Sequence, residues 1–130
     1  MKPFSDVPVN AHLGLVLQEQ PAGGAVVTMA PGEHLTQETG VIHGGVLATL
    51  ADTAAVYALR PGLAAGCIMT SIEFKLNFLA PALPNKGTLA GRARVVRQGS
   101  RVGVCDVDVE QAGAVIAKGL FTYLFLDPKP

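Results

Sequence analysis

The sequence predicts an α+β fold in which an antiparallel sheet wraps one central helix, as a single domain over residues 1–130. Three observations predict it. One Ala- and Leu-rich segment stands alone among segments rich in β-branched residues. Short Gly- and Pro-bearing stretches separate those strand-like segments, and 130 residues, 49% of them hydrophobic, hold one core rather than two.

Residues 13–20 (LGLVLQEQ) and 25–30 (AVVTMA) are short strand candidates, and Pro21, Ala22, Gly23 and Gly24 between them have the chemistry of a hairpin turn. Residues 31–40 (PGEHLTQETG) are polar, without a sustained apolar period, and read as a loop. It leads into VIHGGVLATLADTAA at 41–55. Residues 46–59 contain five Ala, three Leu and no Pro, a helical composition, and Arg60, Pro61 and Gly62 supply a stop. About four turns fit. Apolar residues run nearly all the way round, the pattern of a helix surrounded by protein.

Four strands follow, over 67–79, 87–97, 101–110 and 114–126. Pro81 with the PNKG of 84–87, the QGS of 98–100 and the QAG of 111–113 punctuate them. Successive strands with short turns predict an antiparallel meander. Within 102–109 the residues alternate, with Asp106 and Asp108 on one face, so the sheet has a wetter and a buried side.

Ten basic and ten acidic residues cancel, and no Lys/Arg-rich run is present to neutralise a series of phosphates, which argues against nucleic acid as a partner. The first ten residues lack the apolar core of a secretory signal, and every apolar run is broken well short of a membrane span. A soluble, cytoplasmic protein with no membrane partner is expected. Cys67 and Cys105 stand apart, with neither metal-site nor disulfide spacing, and read as small core residues. Charged residues make up 15% of the chain, against roughly 25% in an ordinary soluble domain. Such a surface is expected to be partly hidden in an oligomer.

Chemistry concentrates in VIHGGVLATLADTAA. Gly44 and Gly45 fall at the start of the helix, where backbone N–H groups lack intrahelical partners and carry the positive end of the helix dipole. Glycine also clears the side chain that would keep a carbonyl from approaching, as an oxyanion site requires; a tight loop-to-helix turn is the plainer reading of the same pair. Asp52 stands among Leu50, Ala51, Ala54 and Ala55 with only Thr49 and Thr53 as polar companions. A carboxylate there is costly to bury unless paired, hydrogen-bonded or protonated, which makes it a candidate for chemistry rather than for solvation. Eight residues of helix separate it from Gly44 by roughly 12 Å, too far for both to act on one carbonyl within one chain. Two copies related by a two-fold axis, helices antiparallel, would bring Asp52 of one to the Gly44 end of the other.

His43-Gly44-Gly45 followed by Leu50-Ala51-Asp52-Thr53-Ala54, and then SIEFKLNFLAPA over 71–82, resembles the hotdog-fold acyl-CoA thioesterases, in particular their phenylacetate-pathway and hydroxybenzoyl-CoA branch. The likeness runs from the first hairpin to the last strand. It implies an acyl-CoA substrate, with CoA as part of the substrate and no separate cofactor or metal, and dimers that usually pair into tetramers. It implies that Asp52 is the catalytic carboxylate, as nucleophile or general base, and that the Gly44 N–H polarises the thioester carbonyl beside Gly45. Gln37, six residues before the histidine, matches a loop position that orients water or substrate. Ser71 matches a Ser/Thr that assists the attacking water, with Thr70 as the alternative reading of that position, and His43 would position the carbonyl-binding loop. Gly99, Ser100 and Arg101 resemble the turn that approaches the CoA phosphates; an ordinary hairpin turn with a solvated Arg is the competing reading. This chain departs from many relatives at Ala80, where they carry Arg before the proline of the turn.

The resemblance implies hydrolysis of an aryl- or medium-chain acyl-CoA. Two alternatives stand beside it: a hotdog hydratase or dehydratase, which pairs a His with an acid across the dimer, and a non-catalytic acyl-CoA-binding module in which Asp52 is structural.

Overall fold

In the computed structural model, which describes residues 2–128, two strands precede the long helix and four follow it, all in one antiparallel sheet. Strand β1 (Leu15–Glu19) and strand β2 (Gly24–Met29) form the first hairpin, helix α2 (Gly44–Leu59) follows the loop, and β3 (Ile68–Phe78), β4 (Leu89–Gln98), β5 (Val102–Gln111) and β6 (Ala114–Leu126) complete the sheet. The α+β class read from the sequence is the class observed. Among the described residues no helix is long and apolar enough to cross a membrane, and no group of His, Cys, Asp and Glu is arranged to hold a metal ion.

The expected four-strand meander is corrected. The sheet order is β1-β2-β4-β5-β6-β3, so only β4, β5 and β6 form a meander. Strand β3 lies at the edge and pairs with β6 along its length, from Ile68 opposite Leu126 to Phe78 opposite Ala117. The reason lies in the connection from β3 to β4. Pro81 and Pro84 lack backbone donors and cannot extend a tight ladder, and the segment is fastened elsewhere. The buried Gln111 side chain accepts from the Leu83 N–H at 2.9 Å and donates to the carbonyls of Leu83 at 2.8 Å and Gly87 at 2.9 Å.

Helix α2 packs on β2, β4 and β5 through Leu47, Leu50, Ala51, Ala54, Ala55, Ala58 and Leu59. Its alanines let it sit close to the sheet: a Cβ on Gly91 of β4 would lie 3.3 Å from the Leu50 carbonyl oxygen and 3.4 Å from Ala54 Cβ. The expectation that protein surrounds this helix is corrected for the single chain. Gly45, Val46, Thr49, Asp52, Thr53 and Val56 form a stripe that is open or half-open, because the helix does not cover the inner face of β3. There Phe74 and Phe78 are 49% and 55% exposed.

A short helix α1 (Pro8–Leu13), preceded by a 3-10 turn at Phe4–Asp6, occupies a stretch to which the sequence reading gave no element before Leu13; Leu13, expected to open the first strand, ends this helix instead, and β1 starts at Leu15. Pro8 opens α1, Gly14 closes it in the left-handed region at φ 65°, and Asn10 Nδ2 donates to the Phe4 carbonyl at 3.0 Å. On the outer face of the sheet, the alternation that put Asp106 and Asp108 together yields a cross-strand ion ladder: Arg94–Asp106 at 3.0 Å, Lys118–Asp108 at 2.7 Å and Arg92–Glu110 at 2.8 Å.

The two cysteines differ. Cys105 is buried as expected, and burial, with Asp106 nearby, pushes its thiol up to about 12, so it carries no thiolate at neutral pH. Cys67 was expected in the core and is instead partly exposed, because it precedes the edge strand and lines a cavity.

Candidate active site

The N-terminus of α2 is built by its own sequence. His43 is the N-cap, with φ −59° and ψ 131°, and its Nδ1 accepts from the Gly45 N–H at 2.9 Å. That bond uses the Gly45 donor. The N–H groups of Val46 and Leu47 go to the His43 carbonyl, which leaves the Gly44 N–H without a partner among the described residues. Phe78 closes one side, its ring 3.2 Å from where a Gly44 Cβ would be. A cavity of about 370 Å³ opens there, lined by Gly44, Gln37, Leu47, Phe78, Ala80 and Pro81 among others. Gln37 Oε1 accepts from the backbone N–H and, at 2.9 Å, the hydroxyl of Thr39, and its Nε2 donors are unused among the described residues. Two unspent donors, Gly44 N–H and Gln37 Nε2, therefore share one cavity at the positive end of a helix.

Asp52 lies in a different cavity, of about 680 Å³, beside Thr53, Val56, Cys67 and Met69. The Tyr123 hydroxyl donates to Asp52 Oδ1 at 2.5 Å and to the Asp52 carbonyl at 3.2 Å. Burial, and then the hydrogen bond to Asp52, push the Tyr123 phenol well above its ordinary value, so it stays a donor. Asp52 Oδ2 makes no bond among the described residues. One carboxylate oxygen is anchored and the other is free. Thr49 and Thr53 turn their hydroxyls back to the carbonyls of Gly45 and Thr49, at 3.0 and 2.7 Å, and do not touch the carboxylate.

Ser71 stands opposite Tyr123 in the β3–β6 register and so shares its helix-facing side of the sheet. Thr70 pairs with Leu124 on the other face. The turn of Gly99, Ser100 and Arg101 joins β4 to β5 near the far end of α2, where Gln98 Nε2 reaches the Leu59 carbonyl at 3.1 Å. The Gly99 N–H is already bonded to Val102 at 2.9 Å; Ser100 and Arg101 line a small cavity of about 170 Å³ that also holds Asp127. Gln37 and Gly44 are thus together, Asp52 and Ser71 lie on the same side of the sheet near Tyr123, and the turn stands apart from the Gly44 cavity. Sequence reasoning missed Tyr123. Its signal was the alternation Phe121, Tyr123, Phe125 on a buried strand face, where a phenol needs a partner.

The sequence model of the family described as "Thioesterase superfamily" matches residues 39–117. The acyl-coenzyme A thioesterase PaaI of Escherichia coli is 37% identical over 98 residues, covering 75% of this chain and 66% of that protein. The solved structure of the E. coli PaaI protein from the phenylacetic acid degradation operon superposes with a TM-score of 0.87 at 26% identity, covering 97% of this chain and 89% of the other. A thioesterase family protein from Silicibacter pomeroyi superposes with a TM-score of 0.87 at 29% identity, covering 95% and 93%.

Proposed function

Because this chain belongs to the thioesterase superfamily and is a hotdog-fold thioester hydrolase of the branch that includes PaaI, we propose that it hydrolyses an aryl- or medium-chain acyl-CoA to the free acid and CoA at a site shared between two copies. The observation that carries this reading is the division of polar groups between two cavities. A single chain offers a carboxylate in one and a donor pair, Gly44 N–H and Gln37 Nε2, in the other. A second copy about a two-fold axis, with the helices antiparallel, unites Asp52 of each with Gly44 of the other.

Two surfaces support that pairing. The open stripe of α2 carries Val46, Val56 and Asp52, and β3 presents an unpaired edge of eleven residues on which Ile72, Phe74 and Phe78 are about half exposed. Such an edge is a template for another strand, and covering its apolar residues removes them from water. A dimer, and a dimer of dimers, is the assembly that goes with this reading.

In the shared site the thioester carbonyl oxygen points at the Gly44 N–H and Gln37 Nε2, which stabilise the negative charge that develops on it. Asp52 Oδ2 attacks the thioester carbon or removes a proton from the attacking water, held in place by the Tyr123 bond to Oδ1. The C–S bond breaks and the CoA sulfur leaves as thiolate, which takes a proton from the water consumed. That water attacks the carbonyl carbon directly in the general-base route, and in the nucleophilic route it hydrolyses the acyl–Asp52 anhydride, so that both end at the free acid and an unmodified Asp52. Ser71 assists the water, and His43 positions the loop by capping Gly45. Ser100 and Arg101 meet the CoA phosphates, in a setting that Asp127 makes less favourable to anions.

The test is a panel of acyl-CoA substrates assayed for free thiol. Release by the wild type, and a loss of about 100-fold or more in kcat for a folded Asp52→Ala variant, is the expected result. Near-wild-type hydrolysis by that variant rules the assignment out. Hydration without thiol release would instead mean a hydratase, and binding with neither would mean an acyl-CoA-binding module.

A further inference from the structure

We propose that Arg60 is an anion receptor for the substrate, a guanidinium that binds an oxyanion of the acyl-CoA at the far end of the Asp52 cavity. This rests on the acyl-CoA reading above. Arg60 directly follows α2, eight residues after Asp52, so it lies about 12 Å further along the helix axis. It lines the same cavity of about 680 Å³.

Arg60 has no carboxylate within ion-pair distance among the described residues, whereas Arg92, Arg94 and Lys118 are each tied to acids. An arginine at a helix end ordinarily serves the last carbonyls of that helix. Here other groups already serve three of the carbonyls at this end. The Tyr57 carbonyl accepts from Gln20 Nε2 at 2.8 Å, the Leu59 carbonyl from Gln98 Nε2 at 3.1 Å, and the Arg60 carbonyl from the Leu63 N–H at 3.1 Å. Among the described residues the five guanidinium donors are unspent.

The group is also held in place. Its central carbon sits 4.8 Å from the centroid of the Tyr57 ring, and Phe4 braces that ring edge-on at 4.7 Å. This cation–π contact holds the guanidinium over the ring without using its N–H donors. Val7, Val56, Leu63 and Met69 share the cavity wall, and in such apolar surroundings a charged hydrogen bond is stronger than in water. Acyl-CoA has anionic oxygens in two places only: the phosphates of CoA, and the terminal carboxylate when the acyl group is dicarboxylic. The pantetheine arm between them is uncharged. Either anion offers the paired oxygens that a guanidinium meets with two parallel hydrogen bonds.

Arg60→Met keeps an aliphatic stem over Tyr57 and removes the donors, and Arg60→Lys keeps the charge without the fork. Steady-state kinetics of both variants are measured on a neutral acyl-CoA, the same acyl group on phosphate-free pantetheine, and an ω-carboxyacyl-CoA. Arg60→Met is expected to raise KM about tenfold or more on the substrate that carries the bound oxyanion, with kcat nearly unchanged, and Arg60→Lys to recover part of the loss. A loss on neutral acyl-CoA that vanishes on acyl-pantetheine identifies the phosphates. A loss confined to the ω-carboxyacyl-CoA identifies the carboxylate. Unchanged KM on all three substrates overturns the proposal, and so does an equal loss on neutral acyl-pantetheine, which would make Arg60 a brace for Tyr57 alone. If the wild type releases thiol from none of them, the acyl-CoA reading is what fails. Calorimetric titration with CoA, with pantetheine and with a linear dicarboxylate then tests Arg60 separately: weaker binding of CoA or of the dicarboxylate by Arg60→Met supports it, and equal binding of both overturns it.

Discussion

At the scale of single residues, Asp52 and Tyr123 have to be considered together. The phenol fixes Oδ1 of the carboxylate, and burial keeps the phenol protonated, so the orientation of Oδ2 depends on one hydrogen bond. Tyr123→Phe removes that bond and almost nothing else. Its expected effect is a fall in kcat of about tenfold, the scale of one hydrogen bond to a charged group, with KM nearly unchanged; unchanged kcat would show that Asp52 is oriented by other contacts. The carboxylate and the glycine pair stood out as candidates in the sequence because composition and spacing along one helix are local properties, whereas His43 entered only through the family resemblance. Tyr123 stands 71 positions away and meets Asp52 only because β6 lies next to β5, on which the helix packs.

Among the elements, the placement of β3 depends on glycine in β6. A Cβ on Gly119 would lie 2.0 Å from the Lys75 carbonyl oxygen and 2.9 Å from Leu76 Cα, both backbone atoms that cannot swing aside. Gly119→Ala is therefore expected to push β3 from β6 and to destabilise the fold by about 3 kcal/mol or more. A denaturant midpoint equal to that of the wild type would contradict the β3–β6 register. The ion ladder on the outer face makes a different prediction. Partial burial works against the charge of Asp106, but hydrogen bonds and charge from Arg94 and Lys118 outweigh it and hold the carboxyl below its ordinary value. Its contribution to stability is thus complete above the unfolded carboxylate value of about 3.9 and is lost as pH falls through the lowered folded value. Asp106→Asn should flatten this acid limb in thermal melts recorded against pH. The effect is small, since the pairs are half exposed and screened by salt, and superimposable acid limbs would remove the ladder from the account. The strands themselves were legible from β-branched composition and punctuation. Their order was not, because Pro81 and Pro84 mark a break without saying which way the chain goes next.

On the scale of the whole molecule, the site is proposed to need two copies, and complementation tests this directly. Gly44→Pro removes the N–H at the first helical position, where His43 already has the extended backbone that proline demands of its predecessor. Asp52→Ala and Gly44→Pro are each expected to be nearly inactive alone. Refolded together in equal amounts, half of the dimers are hybrids, each with one intact site, so about a quarter of wild-type activity should return. No recovery in a mixture shown to contain hybrid dimers would mean that the two groups do not meet across an interface.

The sequence by itself determined the α+β class, the single long helix, its glycine start and the 12 Å that parts Gly44 from Asp52 on it, because all of these follow from the rise and period of one element. Only the tertiary structure decided that β3 lies at the edge beside β6, that one stripe of an all-round apolar helix stays open, and that Tyr123 holds the carboxylate while Arg60 stands unpaired in its cavity. Those are matters of which surfaces meet across long separations in the chain. No local period encodes them.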